Sequence, residues 1–174
     1  MLSKKIESAL NAQIEKEAYS SQLYLAMASW AEINGYQGIS EWLYVQADEE
    51  RLHMLKFLKY VNERDGKGVV GAIKAPPASF KSVKALFEDV LKHEQFISNS
   101  INEIVHLSAS EKDFTTQNFL QWFVNEQIEE EKNARTILDK LKLVGETNMY
   151  LFDRDIMSLR QAAAAADAAG GAAN

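Results

Sequence analysis

Glu50-Arg51-Leu52-His53 sets a carboxylate and an imidazole three positions apart. On a helix that spacing points both side chains the same way and lets them grip one metal ion. The same tetrapeptide would also describe a solvated charge beside a surface histidine, so its surroundings matter. Glu17 precedes Glu50 by 33 residues, and Glu94 precedes Gln127 by 33 as well. Gln127 in turn opens a second three-apart pair, Gln127-Ile128-Glu129-Glu130. One chemical device is used twice along the chain.

The elements that must position these residues are helical. With 174 residues, 47% hydrophobic and 25% charged, the chain is long enough for one domain with a sizeable core. It has eight glycines and two prolines, the latter adjacent at Pro76-Pro77, which leaves long stretches free of helix breakers. Ile6, Leu10, Ile14, Ala18, Leu25 and Ala28 mark a first helix over 4–33, stopped at Asn34-Gly35. A second runs from Gly38 to Arg64, with Trp42, Val45, Leu52, Phe57 and Val61 as its apolar residues, and the short connection makes the two antiparallel.

Gly66 to Lys81 has no helical period. A linker of that length can reach roughly 50 Å at about 3.3 Å per residue, more than the roughly 40 Å of the helix before it. It can therefore cross the whole bundle, making the second and third helices parallel. The third helix is expected from an N-cap at Ser82 to His106, followed by a polar turn over Ser108 to Asp113. The fourth runs from Phe114 to Val144 and stops at Gly145. Thr147 to Arg160 reads as a short fifth helix whose apolar surface must pack against something, with no obvious place inside a completed four-helix bundle. Residues 161–174 form an Ala/Gly-rich tail expected to be frayed or disordered, which leaves 1–160 as the domain.

On each long helix the apolar stripe is interrupted by acidic or polar residues. Glu17 lies two turns from both Leu10 and Tyr24, and Glu50 and His53 share a face with Gln46 and Phe57. Glu94 continues the line of Phe87, Val90, Ile97 and Ile101, while Glu130 lies with Phe123, Gln127, Ala134 and Ile137. Four glutamates converging in a core need a strong compensating charge, since an unpaired buried carboxylate costs several kcal/mol. Two metal cations would supply it, and carboxylate and imidazole ligands without sulfur suit iron or manganese. The alternative is a set of structural ion pairs. Only Arg51 lies near, and its place on the helix points it away from the Glu50 and His53 face.

The bulk composition excludes several other functions. A net charge of −6 argues against nucleic acid as a partner, and the absence of cysteine excludes disulfides, thiolate metal sites and thiol nucleophiles. Met1 to Leu10 carries no apolar run of a signal peptide, and no stretch approaches a membrane span, so a soluble cytoplasmic protein is expected. His93 and His106 read as solvated or helix-end histidines, Trp30, Trp42 and Trp122 as packing or subunit contacts, and the methionines as core filler.

Taken together, residues 1 to 160 resemble a bacterial-type non-haem ferritin, within the ferritin-like superfamily of four-helix bundles with a crossover between helices 2 and 3. The resemblance implies an iron store with ferroxidase activity, in which dioxygen or hydrogen peroxide oxidises Fe(II) at a diiron centre inside each subunit. The mineral would fill the shell of a homo-oligomer of about 24 subunits, as in the family's bundles. By the resemblance, Glu17, Glu50 and His53 form a first iron site, and Glu50, Glu94 and Glu130 a second with Glu50 bridging, assisted by Gln127. Glu49, Glu126, Glu129 and Glu130 resemble a third site toward the cavity, and Tyr24 the tyrosine beside the ferroxidase centre.

Bacterioferritins and rubrerythrins carry a second Glu-x-x-His where this chain has Gln127 and Glu130, and Arg51 stands where bacterioferritins place the haem-ligating methionine. No haem is therefore expected. The acidic ring of animal ferritin channels has no clear counterpart near Gln117 and Leu120. Two rivals remain at this stage. A dinuclear oxygenase would need an organic-substrate pocket and a reductase, for which little chain is left; a structural bundle would buffer divalent metal without redox turnover.

Overall fold

The computed structural model describes residues 2–158, all of whose regular structure is helical. Helix α1 spans Lys4–Ile33 and opens on Ser3, whose hydroxyl accepts from the Ile6 amide at 3.2 Å. It stops where Gly35 takes a φ of 82°, a left-handed conformation that costs glycine little. Helix α2 spans Gln37–Glu63 and gives way at Asp65 (φ 60°). Helix α3, Val83–Ser110, is capped by Ser82, and α4, Phe114–Val144, is capped by Asp113 accepting from the Thr116 amide at 3.0 Å. A 3-10 turn at Glu146–Asn148 then leads into a fifth helix, α5, described over 149–158. The tail at 161–174 lies outside the described residues.

Helix α3 runs one turn beyond the expected end at His106. Ser108 looks like a turn residue in the sequence, but its hydroxyl donates back to the Ile104 carbonyl at 2.7 Å and is fully buried. The chain turns instead at Lys112, with φ 57°.

Side-chain hydrogen bonds fix the topology. Ser21 donates to the Ala47 carbonyl and Ser40 to the Ala28 carbonyl, which makes α1 and α2 antiparallel. Tyr24 meets Glu94 and Gln13 meets Ser100, so α1 and α3 are antiparallel too, and α2 and α3 must be parallel. The segment between them therefore crosses the bundle lengthwise. Near its start Asn11 takes the Val69 amide at 2.7 Å and gives a hydrogen bond to the Lys67 carbonyl at 3.0 Å; near its end Phe80 packs edge-on against Trp30. Asn11 to Trp30 is about 28 Å of helix at 1.5 Å per residue. On the far side Tyr60 meets Thr116, and Gln46 meets Glu130, pairing α2 with α4.

The apolar core is in two parts. One contains Tyr24, Met27, Ile39, Trp42, Leu43, Phe87, Val90 and Ile137; the other contains Ile6, Leu10, Ile14, Phe57, Val61, Ile97, Ile101 and Phe123. Between them on all four helices lie the buried polar residues Glu17, Gln46, Glu50, His53, Glu94, Gln127 and Glu130. Three expected apolar positions face outward instead. Leu25, Val45 and Leu52 are exposed, because the inward face of α1 and α2 at those levels is held by Tyr24, Gln46, Glu50 and His53.

Helix α5 does find a place within its own chain. Phe152 and Ile156 join the first apolar cluster, while Tyr150 stays exposed. Its Asp153 carboxylate accepts from the Ile39 amide at 2.9 Å, satisfying an N-terminal donor of α2 that Tyr36 has no side-chain cap bond to serve. The approach is close enough to require glycine at 38, where a Cβ would fall 1.8 Å from the Asp153 carbonyl oxygen. An unseated apolar surface on α5 is thus no argument for assembly.

Candidate metal centre

The residues singled out by spacing converge between the two apolar clusters, because each replaces one inward position of a helix whose neighbouring turns are locked by aliphatic and aromatic packing. Glu17, Glu50 and Glu94 are each 1% exposed, His53 3%, and Gln127 and Glu130 5%. Ligand atoms of Glu17, Glu50 and His53 lie within 4.8 Å of one another. So do those of Glu49, Glu126 and Glu130, where the first two are half-buried. The three residues expected at a first site thus lie together, and of the four expected at a third site Glu49, Glu126 and Glu130 lie together while Glu129 is half-buried one turn along from Glu126.

Glu94 stands outside both sets, so the three carboxylates of the expected second site are buried together but not drawn into one ligand cluster among the described residues. Hydrogen bonds hold them apart. Glu94 accepts from the Tyr24 hydroxyl at 2.5 Å and from the Gln127 amide at 3.1 Å, and Glu130 accepts from the Gln46 amide at 3.0 Å. The His53 ring sits with Nδ1 3.5 Å from Glu50 and Nε2 4.0 Å from Glu126, bracketed edge-on by Trp122 and Phe123. It therefore bridges the two sets.

Burial governs the electrostatics. It lifts the Glu17 carboxyl to about 7, and it lifts Glu50 and Glu130 well above the glutamate range with the neighbouring carboxylates adding to the effect. Glu94 is raised by burial too, against the opposing donors Tyr24 and Gln127, and the Tyr24 phenol is pushed well above its usual 10. His53 is lowered to about 4 by burial and then by Lys56, so the imidazole is neutral and free to donate a lone pair. Lys56 itself lies over the Trp122 ring, 2.9 Å from its centroid.

The alternative of structural ion pairs fails on geometry. Among the described residues no lysine or arginine forms an ion pair with Glu17, Glu50, Glu94 or Glu130, and Arg51 is exposed on the opposite face of α2. Glu17 Oε2 is in addition the one buried side-chain polar atom of the described residues without a hydrogen-bond partner. A lone pair left open inside a set of ligand atoms is what a cation would satisfy.

Two sequence readings need correction. His93 is not solvated: it is half-buried between α1 and α3, its Nε2 lies 2.7 Å from the Ser20 hydroxyl, and burial lowers it to about 4. Trp122 does more than pack, since its ring walls the His53 imidazole. Two supporting residues were missed altogether. Gln13, fully buried, donates to Glu17 Oε1 at 2.8 Å, and Ser98 lies between Gln127 and Glu131. Gln13 was visible as a polar interruption of the α1 stripe one turn before Glu17.

Residues 7–144 match the model of the ferritin-like domain family. A probable bacterial non-heme ferritin-like protein of Haemophilus influenzae is 44% identical over 91% of this chain and 98% of its own length. The bacterial non-heme ferritin of Campylobacter jejuni is likewise 44% identical, over 91% of this chain and 96% of its own. The solved open-pore ferritin of the archaeon Archaeoglobus fulgidus superposes with a TM-score of 0.87 at 43% identity, covering 89% of this chain and 96% of that one. Four helices around a belt of buried carboxylates, matched over nearly the whole length of such relatives, place the chain in the ferritin family, among its bacterial non-haem members.

Proposed function

We propose that this protein is a ferroxidase and iron store. The observation that carries the reading is the Glu17, Glu50 and His53 set, with Glu17 Oε2 open and a neutral imidazole opposite, adjoining two further buried glutamates that lack a cationic partner. Fe(II) is the substrate. Glu17, Glu50 and His53 would take one ion; Glu94 and Glu130, with Glu50 shared, would take the second once Gln46 and Gln127 release or share the carboxylate oxygens they now hold.

Burial and the neighbouring carboxylates favour the protonated form of these groups, so Fe(II) binding exchanges protons for metal and relieves the crowding of like charges. Two Fe(II) then each give one electron to dioxygen, which takes up two protons and leaves as hydrogen peroxide. Tyr24 keeps its proton and holds Glu94 in place. The half-buried Glu49 and Glu126, with Glu130, offer ferric ions the next set of oxygens on the way out, and Glu129 extends it by one turn. The ferric product would mineralise inside a closed homo-oligomeric shell of about two dozen subunits, the ferritin-like plan. We assign it to the cytoplasm, a reducing compartment suited to a chain without cysteine.

Oxygen consumption on adding Fe(II) to the purified protein, read with its size by exclusion chromatography, tests the proposal. A large particle that consumes dioxygen in proportion to Fe(II) is expected. Metal binding without oxygen uptake would replace the ferroxidase with a passive metal buffer, and a monomer or dimer would remove the store.

A further inference from the structure

The two oxygens of Glu17 are treated differently by the fold, and the difference traces to a polar chain between α1 and α3. Lys16 Nζ donates to the Ser100 hydroxyl, Ser100 donates to Gln13 Oε1 at 2.6 Å, and Gln13 Nε2 donates to Glu17 Oε1 at 2.8 Å. Gln13 is fully buried and Ser100 8% exposed, while Lys16 is half-buried and reaches solvent. No amide or hydroxyl donor reaches Glu17 Oε2, and the other carboxyl in contact with Glu17 is that of Glu50.

The direction of this chain is set at its outer end. An ammonium group is only a donor, so Lys16 takes a lone pair of the Ser100 oxygen and cannot receive its proton, which goes to Gln13. That proton needs the carboxamide oxygen, which leaves the amide end facing Glu17. A carboxamide flip would turn the Ser100 hydroxyl proton out of its hydrogen bond and set the carboxamide oxygen against an ionised Glu17, the form that binds metal, in a buried place where unmet polar groups are costly.

On the reading of this cluster as an iron centre, we propose that Gln13 is a positioning residue for it, its amide end locked toward Glu17 Oε1 by Lys16 through Ser100, so that Glu17 offers metal a single oxygen, Oε2. Without the lock, Glu17 is free to rotate or to chelate through both oxygens, and the first ion is held less firmly and in another geometry.

The test uses the assembled, full-length, iron-free protein titrated with Co(II) alone, whose visible d–d bands report coordination number. The apo melting temperature is read in parallel. Gln13→Met keeps side-chain length and removes both hydrogen bonds; Lys16→Met removes the terminal donor at the half-exposed end, and Lys16→Arg replaces it.

Gln13→Met is expected to weaken the tightest Co(II) step by about tenfold, the scale of one hydrogen bond to a charged group, and to change the band intensity per bound ion. Lys16→Met should show part of the same spectral change, and Lys16→Arg should restore the wild-type bands. Wild-type affinity and bands in Gln13→Met, or a change in apo melting with no change in bands, would overturn the inference. If Gln13→Met does not fold, identical bands in Lys16→Met and wild type overturn it instead. A wild-type protein that binds no Co(II) would remove the metal centre itself, a separate failure.

Discussion

Replacing Glu17 with Gln keeps the shape of the side chain and removes its ability to ionise, so it isolates what that charge costs the metal-free protein. Burial lifts the Glu17 carboxyl from 4.5 to about 7. Between those values the folded chain holds a proton that the unfolded chain has released, so this group's stabilisation is present at low pH and is lost as pH rises through that window. At about 1.4 kcal/mol per pH unit the loss amounts to about 3 kcal/mol above neutrality. The carboxamide that replaces it has no such dependence. Its carbonyl oxygen still accepts from Gln13, and its NH2 can donate toward Glu50 in the place of the unpartnered Oε2.

Metal-free Glu17→Gln should therefore gain on the wild type with rising pH, by about 2 kcal/mol more at about pH 8.5 than at about pH 5.5. Glu50 and Glu130 are lifted in the same direction and keep their own share of the slope, so the variant flattens the profile without abolishing it. Denaturant midpoints of the chelator-treated protein at the two pH values measure the difference, and an anaerobic Fe(II) isotherm on the same samples should show the first site weakened. Parallel pH profiles for the two proteins would refute the assigned burial cost. Unchanged iron affinity would refute the ligand role.

His53→Ala removes the imidazole from the Glu17 and Glu50 set, and on the proposed reading stopped-flow absorbance after Fe(II) loading should show the fast paired oxidation slowed by about an order of magnitude or more; a wild-type rate would place the chemistry elsewhere. Glu126→Ala should spare that fast phase and change the iron-to-oxygen ratio, since Glu126 belongs to the Glu49 and Glu130 set and not to the Glu17 set. Loss of the fast phase would mean that the glutamates are wrongly divided. Gly38→Ala places a Cβ 1.8 Å from the Asp153 carbonyl and must lift α5 from its seat, unburying Phe152 and Ile156; thermal unfolding should show a loss of several kcal/mol. Wild-type melting would show that α5 does not pack there.

Periodicity and breakers made the bundle legible. Asn34-Gly35, Gly145 and the unpatterned stretch before Ser82 locate the ends of α1 and α4 and the start of α3, and the reach of that stretch permits the parallel pairing of α2 and α3. What it could not show was which polar residues hide themselves: Ser108 bonds back to its own helix, and Ser20 satisfies His93 across an interface, neither of which leaves a trace in hydropathy. The site was legible for the opposite reason. Glu17, Glu50, Glu94 and Glu130 break stripes that aliphatic residues should fill, so their placement was already anomalous before any coordinates. The particular division of ligand atoms was not legible, because it depends on Gln46 and Gln127 drawing Glu130 and Glu94 aside, a matter of rotamers and not of spacing.

The same division explains how the fold tolerates its own centre. Charged carboxylates without cations would cost the bundle several kcal/mol each, more than a small domain can spare from a total of about 5–15 kcal/mol. The metal-free protein lessens that cost in two ways: burial favours the protonated form of Glu17, Glu50 and Glu130, and amide donors from Gln13, Gln46 and Gln127 occupy one oxygen each of Glu17, Glu130 and Glu94. Each device is reversible. A proton leaves when a cation arrives, and an amide can surrender or share an oxygen without moving the backbone, because the apolar clusters on either side hold every helix in place. Glu17 Oε2 takes no amide or hydroxyl donor. On the proposed reading it is an oxygen that a first ion can reach without displacing an amide, and we expect the Glu17, Glu50 and His53 set to fill before the Glu94 and Glu130 carboxylates, which Tyr24, Gln127 and Gln46 hold.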